Sequence, residues 1–434
     1  MKPHPVLRAV LVAVPLLSLP VAASAQGLRE KVRDLFRFGD CGEPLCLPSL
    51  VAAGNVHGNH YVPSAVASGG VVLDFLTSAI GSSLSNLPIA ATSSGATFSF
   101  VGGAPVKTTL SAGPIFAERS QTLGRGRVMI GANVSAIRFA SVRGVPLDDI
   151  VFTITHENGR IPENFGDPAY ENDVLTVTSN IELTSYISSL FLTYGLFDRL
   201  DLGVALPIVR TELNGSSVGE IKPFGATTPH YFGGTAQNPQ LSAVATTSGT
   251  AMGIGDIAAR MKLNLARAGA SGGAAILAEV RLPTGKEEDL LGAGELSTRV
   301  FAVFSNRYGN FSPHANVGGV VRQGSTLNNS MLVTAGFDQL VTSRATFALD
   351  FISEWQMGES AVTLPQPVQL TLPFQRTVVP TNIPNTRDNL LNLAAGGKYA
   401  TRGGVHLVLN LLVPLNRGGL RPRSIVTAGL EKSF

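Results

Sequence analysis

Arg199-Leu200-Asp201-Leu202-Gly203-Val204-Ala205-Leu206-Pro207-Ile208 alternates along its whole length. Leu200, Leu202, Val204, Leu206 and Ile208 fall on one face, and Arg199, Asp201, Gly203, Ala205 and Pro207 on the other. A period of two marks a β-strand with one face against apolar material and the other against water. The pattern recurs downstream. Ile257, Ala259, Met261, Leu263 and Leu265 oppose Asp256, Arg260, Lys262 and Asn264. Ile276, Ala278, Val280 and Leu282 oppose Glu279 and Arg281, and Ala345, Phe347, Leu349, Phe351 and Trp355 oppose Arg344, Thr346, Asp350 and Glu354.

Alternation alone also fits a soluble sandwich, and the connections separate the two. Short links (Phe197-Asp198, 268–271, 309–311, Thr342-Ser343, 401–403) alternate with long ones (157–171, 214–251, 284–296, 324–329, 358–386, 416–423). Tight turns at one end and long loops at the other are the form of an up-and-down barrel in an outer membrane. The expected fold is therefore all-β, a transmembrane antiparallel barrel. About fourteen strands are read, near 105–117, 126–140, 147–155, 173–196, 199–213, 252–267, 272–284, 297–308, 312–323, 330–340, 343–356, 387–400, 404–415 and 424–434. An even number closes the ring and leaves the N-terminus in the periplasm.

The two ends agree with export to a Gram-negative envelope. Lys2 and Arg8 precede an apolar run from Val10 to Leu19, and Ala23-Ser24-Ala25 is a cleavage site, so residues 1–25 read as a signal peptide. The last strand places Val426, Ala428, Leu430 and Phe434 on one face, and a terminal Phe434 resembles the signal read by the barrel-assembly machinery. Only 15% of the chain is charged, with a net charge of +3. A soluble chain carries about 25%, and the balance offers no basic footprint for nucleic acid. No segment reads as a transmembrane helix, which needs roughly 20 apolar residues. The nearest, Gly70 to Leu84, is short and carries Asp74.

Residues 26–104 lack strand alternation. Leu28, Val32, Leu35 and Phe36 have helical spacing, as do Val72, Phe75, Leu76, Ala79, Ile80 and Leu84. An apolar helix needs a place to bury, so this region is expected to plug the lumen, with 105–434 as the barrel. Cys41 and Cys46 are the only cysteines, and an oxidising periplasm favours a local disulfide over a two-thiol zinc site.

Tyr194-Gly195-Leu196-Phe197-Asp198-Arg199-Leu200-Asp201-Leu202-Gly203-Val204 joins a further set of motifs. These are Gly253-Ile254-Gly255-Asp256-Ile257 with Lys262, Leu282-Pro283-Thr284-Gly285, the run from Glu287 to Gly294, and Phe311-Ser312-Pro313-His314-Ala315-Asn316. Together they resemble the outer-membrane transporters grouped with phenol meta-pathway proteins, which are similar to the long-chain fatty-acid transporter barrels. The resemblance covers 124–434. It implies fourteen strands, an N-terminal hatch and passive uptake of hydrophobic molecules, and it carries over no binding residue.

Motifs for chemistry are weak. Gly215-Ser216-Ser217-Val218-Gly219 matches the frame of a nucleophile elbow, but a loop rather than a helix is expected after it. Gly253 to Ala258 resembles a dinucleotide fingerprint without the following helix. His57 and His60 lack a third ligand, and His314 and His406 read as wall residues. Glu287, Glu288 and Asp289 form an acidic loop that is either solvated or bridged to lipopolysaccharide by divalent ions. Asp256, Arg260, Lys262, Glu279, Arg281, Asp350 and Glu354 are expected on the lumen wall, as structural pairs or as a polar conduit.

The functional expectation is passive uptake of a small hydrophobic or aromatic solute, with lipid and lipopolysaccharide as surroundings. No enzyme, cofactor or energy source is implied. The rival readings are a water-filled porin and an adhesive surface barrel whose loops at 214–251 and 358–386 bind partners.

Overall fold

The computed structural model describes residues 26–39, 42–47, 63–85, 98–101, 104–107, 116–155, 173–224, 230–235, 237–268, 272–324, 327–360, 362, 364, 366–370 and 374–434. The expected signal peptide, His57, His60 and Cys41 lie outside them.

Among the described residues fifteen strands form the main sheet, and one of them, Val145–Pro146, is a two-residue piece that only pairs back on the first strand. In chain order the other fourteen are β1 (Val128–Val142), β2 (Ile150–Thr155), β3 (Val174–Phe197), β4 (Leu200–Lys222), β5 (Ser242–Ile254), β6 (Ala258–Ala268) and β7 (Gly272–Arg281). They continue as β8 (Ser297–Ser305), β9 (Phe311–Arg322), β10 (Ser330–Leu340), β11 (Ala345–Gln356), β12 (Leu390–Ala400), β13 (Val405–Pro414) and β14 (Leu420–Ser433). Twelve of them close an antiparallel ring: β4 pairs with β6, neighbours then follow in order to β14, β14 pairs with β1, β1 with β3, and β3 with β4. The ring is fastened where it begins and ends. Val128 and Phe434 exchange backbone hydrogen bonds of 3.3 and 2.8 Å, so the pairing of β14 with β1 extends to Phe434.

The ring has twelve strands rather than fourteen for two reasons. The segment expected as a strand at 105–117 does not join the wall: residues 104–107 pair with Phe98–Val101 in a small hairpin, and Phe116 and Ala117 lie inside the lumen. The wall therefore starts at Val128, not at 105. The segment at 147–155 forms only the six-residue β2, which pairs with the upper part of β3 beyond the ring.

The alternation determines which side meets lipid. On β3, Ile187, Ser189, Phe191 and Thr193 are buried, while Tyr186, Leu190, Leu192 and Tyr194 are exposed. Leu202 and Val204 on β4, Met261, Leu263 and Leu265 on β6, and Leu407, Leu409 and Leu411 on β13 face outward too. An apolar outer band around a closed sheet leaves no backbone group unpaired in hydrocarbon, which is how a β-protein spans a membrane. Near the short turns Tyr194, Phe197, Tyr308, Phe311, Tyr399 and Phe434 are all exposed, as in an interfacial aromatic girdle. This side is called the turn end below, and the opposite side the loop end.

The span 214–251, expected as a loop, is largely strand. β4 runs on to Lys222, and β5 pairs with it from Ser242↔Glu220 to Ile254↔Ile208. With β2 and β3 this makes a four-stranded sheet rising above the loop end. Its inner face is small because the N-terminal segment packs there: the Leu35 side chain lies against Gly215, and Leu28 and Lys31 lie against Gly249. A Cβ at either glycine would collide with those side chains.

Helix α1 (Leu28–Asp34) buries Leu28 and Val32, with Leu35 just beyond its end, at the i, i+4, i+7 spacing of one face. Helix α2 (Pro63–Ser85) buries Leu73, Phe75, Leu76, Ala79 and Ile80. Both belong to one apolar cluster with Ile137, Ile187, Val209, Leu412 and Ile425 of the inner wall. Each fully buried Leu or Ile contributes about 1.5–3 kcal/mol, so the helices and the barrel stabilise one another.

Unboiled refolded protein should migrate differently from boiled protein in detergent gels, with circular dichroism dominated by β-structure. Identical migration together with a helical spectrum would contradict the fold.

Candidate functional site

Between α2 and the first ring strand, residues 116–123 cross the turn half of the lumen without joining the sheet. The wall's side chains take the place of a neighbouring strand. The Phe116 N–H donates to Asp350 Oδ2 (3.3 Å), the Ser120 N–H to Ser305 Oγ (3.0 Å), and the Leu123 N–H to Asp201 Oδ2 (3.0 Å). Asn264 Nδ2 donates to Ser120 O (2.8 Å). The Asn316 amide accepts from Glu118 N (2.7 Å) and donates to Glu118 O (3.1 Å). Buried backbone groups must be paired, and this requirement explains why strands with an apolar outer face carry Asp, Asn and Ser inside.

The side chains of this strap are charged and paired as well. Glu118 meets Lys262 Nζ at 3.4 Å and Arg260 Nη1 at 3.8 Å. Arg119 donates through Nε and Nη2 to the two oxygens of Asp338, a two-point contact. The network continues along the wall in register. Arg260, Glu279 and Arg299 are direct cross-strand partners on β6, β7 and β8. Glu279 accepts from Arg260 Nε (2.5 Å) and Arg281 Nε (2.6 Å), with Arg299 Nη1 at 3.7 Å. Arg322 Nη2 donates to Glu354 Oε1 at 2.6 Å, and Lys398 Nζ to Glu431 Oε1 at 3.1 Å.

His314 reaches Asp350 across an intervening strand. The row reads His314, Gly336, Asp350 on β9, β10 and β11, with His314 Nε2 at 2.6 Å from Asp350 Oδ1. A Cβ at Gly336 would overlap the Asp350 carboxylate, so glycine keeps this contact open.

Above the strap is a cavity of about 250 Å³. Phe75, Phe116, Ile137, Phe139, Phe301 and Leu412 make its apolar side. Arg260, Glu279, Arg299, Arg322, Glu354 and Arg421 make its charged side, and Leu327, Asn328, Asp388 and Gly419 bound it at the loop end. Mostly apolar walls with a few fixed polar groups are the usual make-up of a small-molecule site. At the loop end, burial raises the Glu295 carboxyl above its ordinary range, and Arg322 opposes the shift.

The residues expected on the wall divide into separate groups. Arg260, Lys262, Glu279 and Arg281 share one network with Glu118; Glu354 is held by Arg322 and Asp350 by His314. Asp256 stands apart, at the break between β5 and β6. Its carboxylate accepts from the Gly285 and Ala293 N–H groups (3.0 and 2.7 Å) and pins the 282–296 connection inward. His406 Nδ1 lies 3.6 Å from Glu431 Oε1. Phe434 sits on the outer surface at the turn end.

The remaining motifs take no catalytic form. Ser217 is within β4 and donates to Leu35 O, and no strand–turn–helix surrounds it. Gly253 to Ala258 leads into β6, not into a helix. Glu287 is paired with Arg29, and Lys286 stands near Asp289. Among the described residues no group of three His, Cys, Asp or Glu is placed to hold a metal. Cys46 is disulfide-bonded, while Cys41 lies outside the described residues.

Sequence reading missed Glu118, Arg119, Arg299, Asp338 and Arg421. The strap has no periodicity of its own. Arg299 shares its inner face with Phe301 and Val303, so β8 is apolar on both sides and its polarity is hidden. Arg421 falls within the connection expected at 416–423, but β14 already begins at Leu420.

No family model matches the sequence, and neither does any curated protein. The structure is similar to solved barrels. One is an outer membrane channel from Pseudomonas putida F1, at 14% identity over 73% of this chain and 98% of that one, TM-score 0.41. Another is a Pseudomonas aeruginosa FadL homologue, at 10% identity over 71% and 89%, TM-score 0.32. The Ralstonia pickettii toluene transporter TbuX matches at 11% identity over 72% and 90%, TM-score 0.27.

Glu118→Gln should lower stability by roughly 3–5 kcal/mol in urea unfolding, because it leaves Lys262 buried beside a neutral amide. The double change Glu118→Gln with Lys262→Met should recover much of that loss. A single variant that unfolds with the parent would refute the pairing. Gly336→Val should cost about 1–3 kcal/mol, because its side chain would meet the Leu349 carbonyl and the Asp350 carboxylate held by His314, and an unchanged unfolding midpoint would count against this packing.

Proposed function

We propose that this chain is an outer-membrane channel through which small hydrophobic or aromatic solutes enter passively, with the turn end in the periplasm. The observation that carries the reading is the cavity inside the barrel. It is lined by four phenylalanines, is bounded toward the long connections by Leu327, Asn328, Asp388 and Gly419, and is floored by the strap. An apolar solute that reaches it leaves water on entry, at a gain of roughly 25 cal/mol per Å² of apolar surface removed. Passage then needs the strap or a helix to shift. The pairing of both with the wall sets the barrier to that step.

The resemblance to transporters associated with the phenol meta-pathway points the same way and adds aromatic solutes as the favoured class. A water-filled porin needs an open lumen, whereas residues 116–123 cross this one and α2 packs on its inner wall. The aromatic girdle suits a lipid interface.

Proteoliposomes of the full mature protein should take up radiolabelled toluene faster than empty liposomes and should not swell in isotonic sugar. Sugar permeation without any gain for toluene would replace the hydrophobic channel with a porin.

A further inference from the structure

Among the described residues, buried cations of the inner wall and its loop end come with carboxylates, Arg421 excepted. Arg119, Arg143, Lys262, Arg281, Arg322 and Lys398 are buried, and each touches an acidic side chain. Arg421 is only 4% exposed, yet among the described residues no carboxylate lies within ion-pair distance of it. Its Nη2 donates to Leu391 O (2.6 Å) and Asn392 Oδ1 (3.0 Å), and its Nε has no hydrogen-bond partner. The ladder between β14 and β1 slips on both sides of Pro422, next to Arg421, and Arg421 lines the cavity.

A buried guanidinium without a counter-charge is costly. Its planar fork suits a carboxylate at two points. The apolar cavity wall includes Phe139, Leu412 and Ile425. Arg421 is near the loop end of β14, whereas Phe116 belongs to the strap at the floor. We infer that the cavity takes a small amphipathic monocarboxylate, its acid group on Arg421 and its ring or short chain directed at the strap. A volume of about 250 Å³ suits a ring with a short tail and is too small for a long alkyl chain. This inference rests on the channel reading above and makes it more specific: Arg421 selects charged-headed aromatic solutes over neutral ones.

The test is binding to the full protein in detergent, using 3-phenylpropionate and its neutral isostere 3-phenylpropanamide, read by calorimetry. The parent should bind the carboxylate at least about tenfold more tightly than the amide, as one charge-assisted contact allows. Arg421→Gln should erase that ratio by weakening the carboxylate at least about tenfold more than the amide. Asn392→Asp supplies the missing carboxylate beside an intact Arg421, and it should erase the ratio as well. Heat-modifiable migration of each variant shows that it has folded. If the parent binds both probes equally, or Arg421→Gln keeps the preference, the inference fails while amide binding still supports a hydrophobic site. If neither probe binds the folded parent, the inference and the channel reading fall together.

Discussion

A peptide that crosses the inside of a barrel without joining its sheet must find a partner for each buried backbone donor and acceptor. Here that constraint organises the lumen. Asp201, Asn264, Ser305, Asn316 and Asp350 come from different strands, and each hydrogen-bonds the backbone of residues 116–123. The strap's own charges then need counter-charges. Glu118 finds Lys262 and Arg260, and Arg119 finds Asp338. Around Glu279 the pairing spreads over three adjacent strands. The polar inner wall is therefore fitted to a particular segment of the same chain.

The two halves of the lumen use different physics. Toward the turn end, charge and hydrogen bonds hold the strap in place. Toward the loop end, α1 and α2 pack through Leu28, Val32, Phe75 and Ile80 on Ile137, Ile187 and Val209. The cavity lies where the regimes meet, which is why one side is phenylalanine and the other arginine and glutamate. Water-poor surroundings strengthen charge pairing and make an unpaired charge expensive.

Much of the barrel was legible because its signal is local. Strict alternation, as in Arg199 to Ile208, needs only the two faces of one strand to differ, and twelve of the fourteen segments read this way stand in the ring. The two that do not failed for physical reasons. Residues 104–107 have strand character but fold into a small hairpin, and Ile150–Thr155 is too short to span. The extended β4–β5 pair was hidden because much of its inner face is small, with Gly215, Ser217, Gly219, Ala245 and Gly249, and Leu35 and Leu28 come close there. The site was legible only in part. Alternation turns Lys262 and Glu279 inward, but nothing local says that Glu118, more than a hundred residues earlier, is the partner. Arg421 looked like a loop residue because its strand is irregular there.

The central claim is that residues 116–123 are seated in the turn half of the folded barrel. Thiol accessibility at a single strap position tests it most directly. Ser120 is fully buried between Ser305 and Asn264. In the full-length protein carrying Ser120→Cys, a charged, membrane-impermeant methanethiosulfonate should leave this thiol unmodified while the barrel is folded and modify it quickly in urea. The parent protein serves as the background. Rapid modification of the folded barrel, at the rate seen in urea, would mean that the strap is not held in the lumen and would contradict the account.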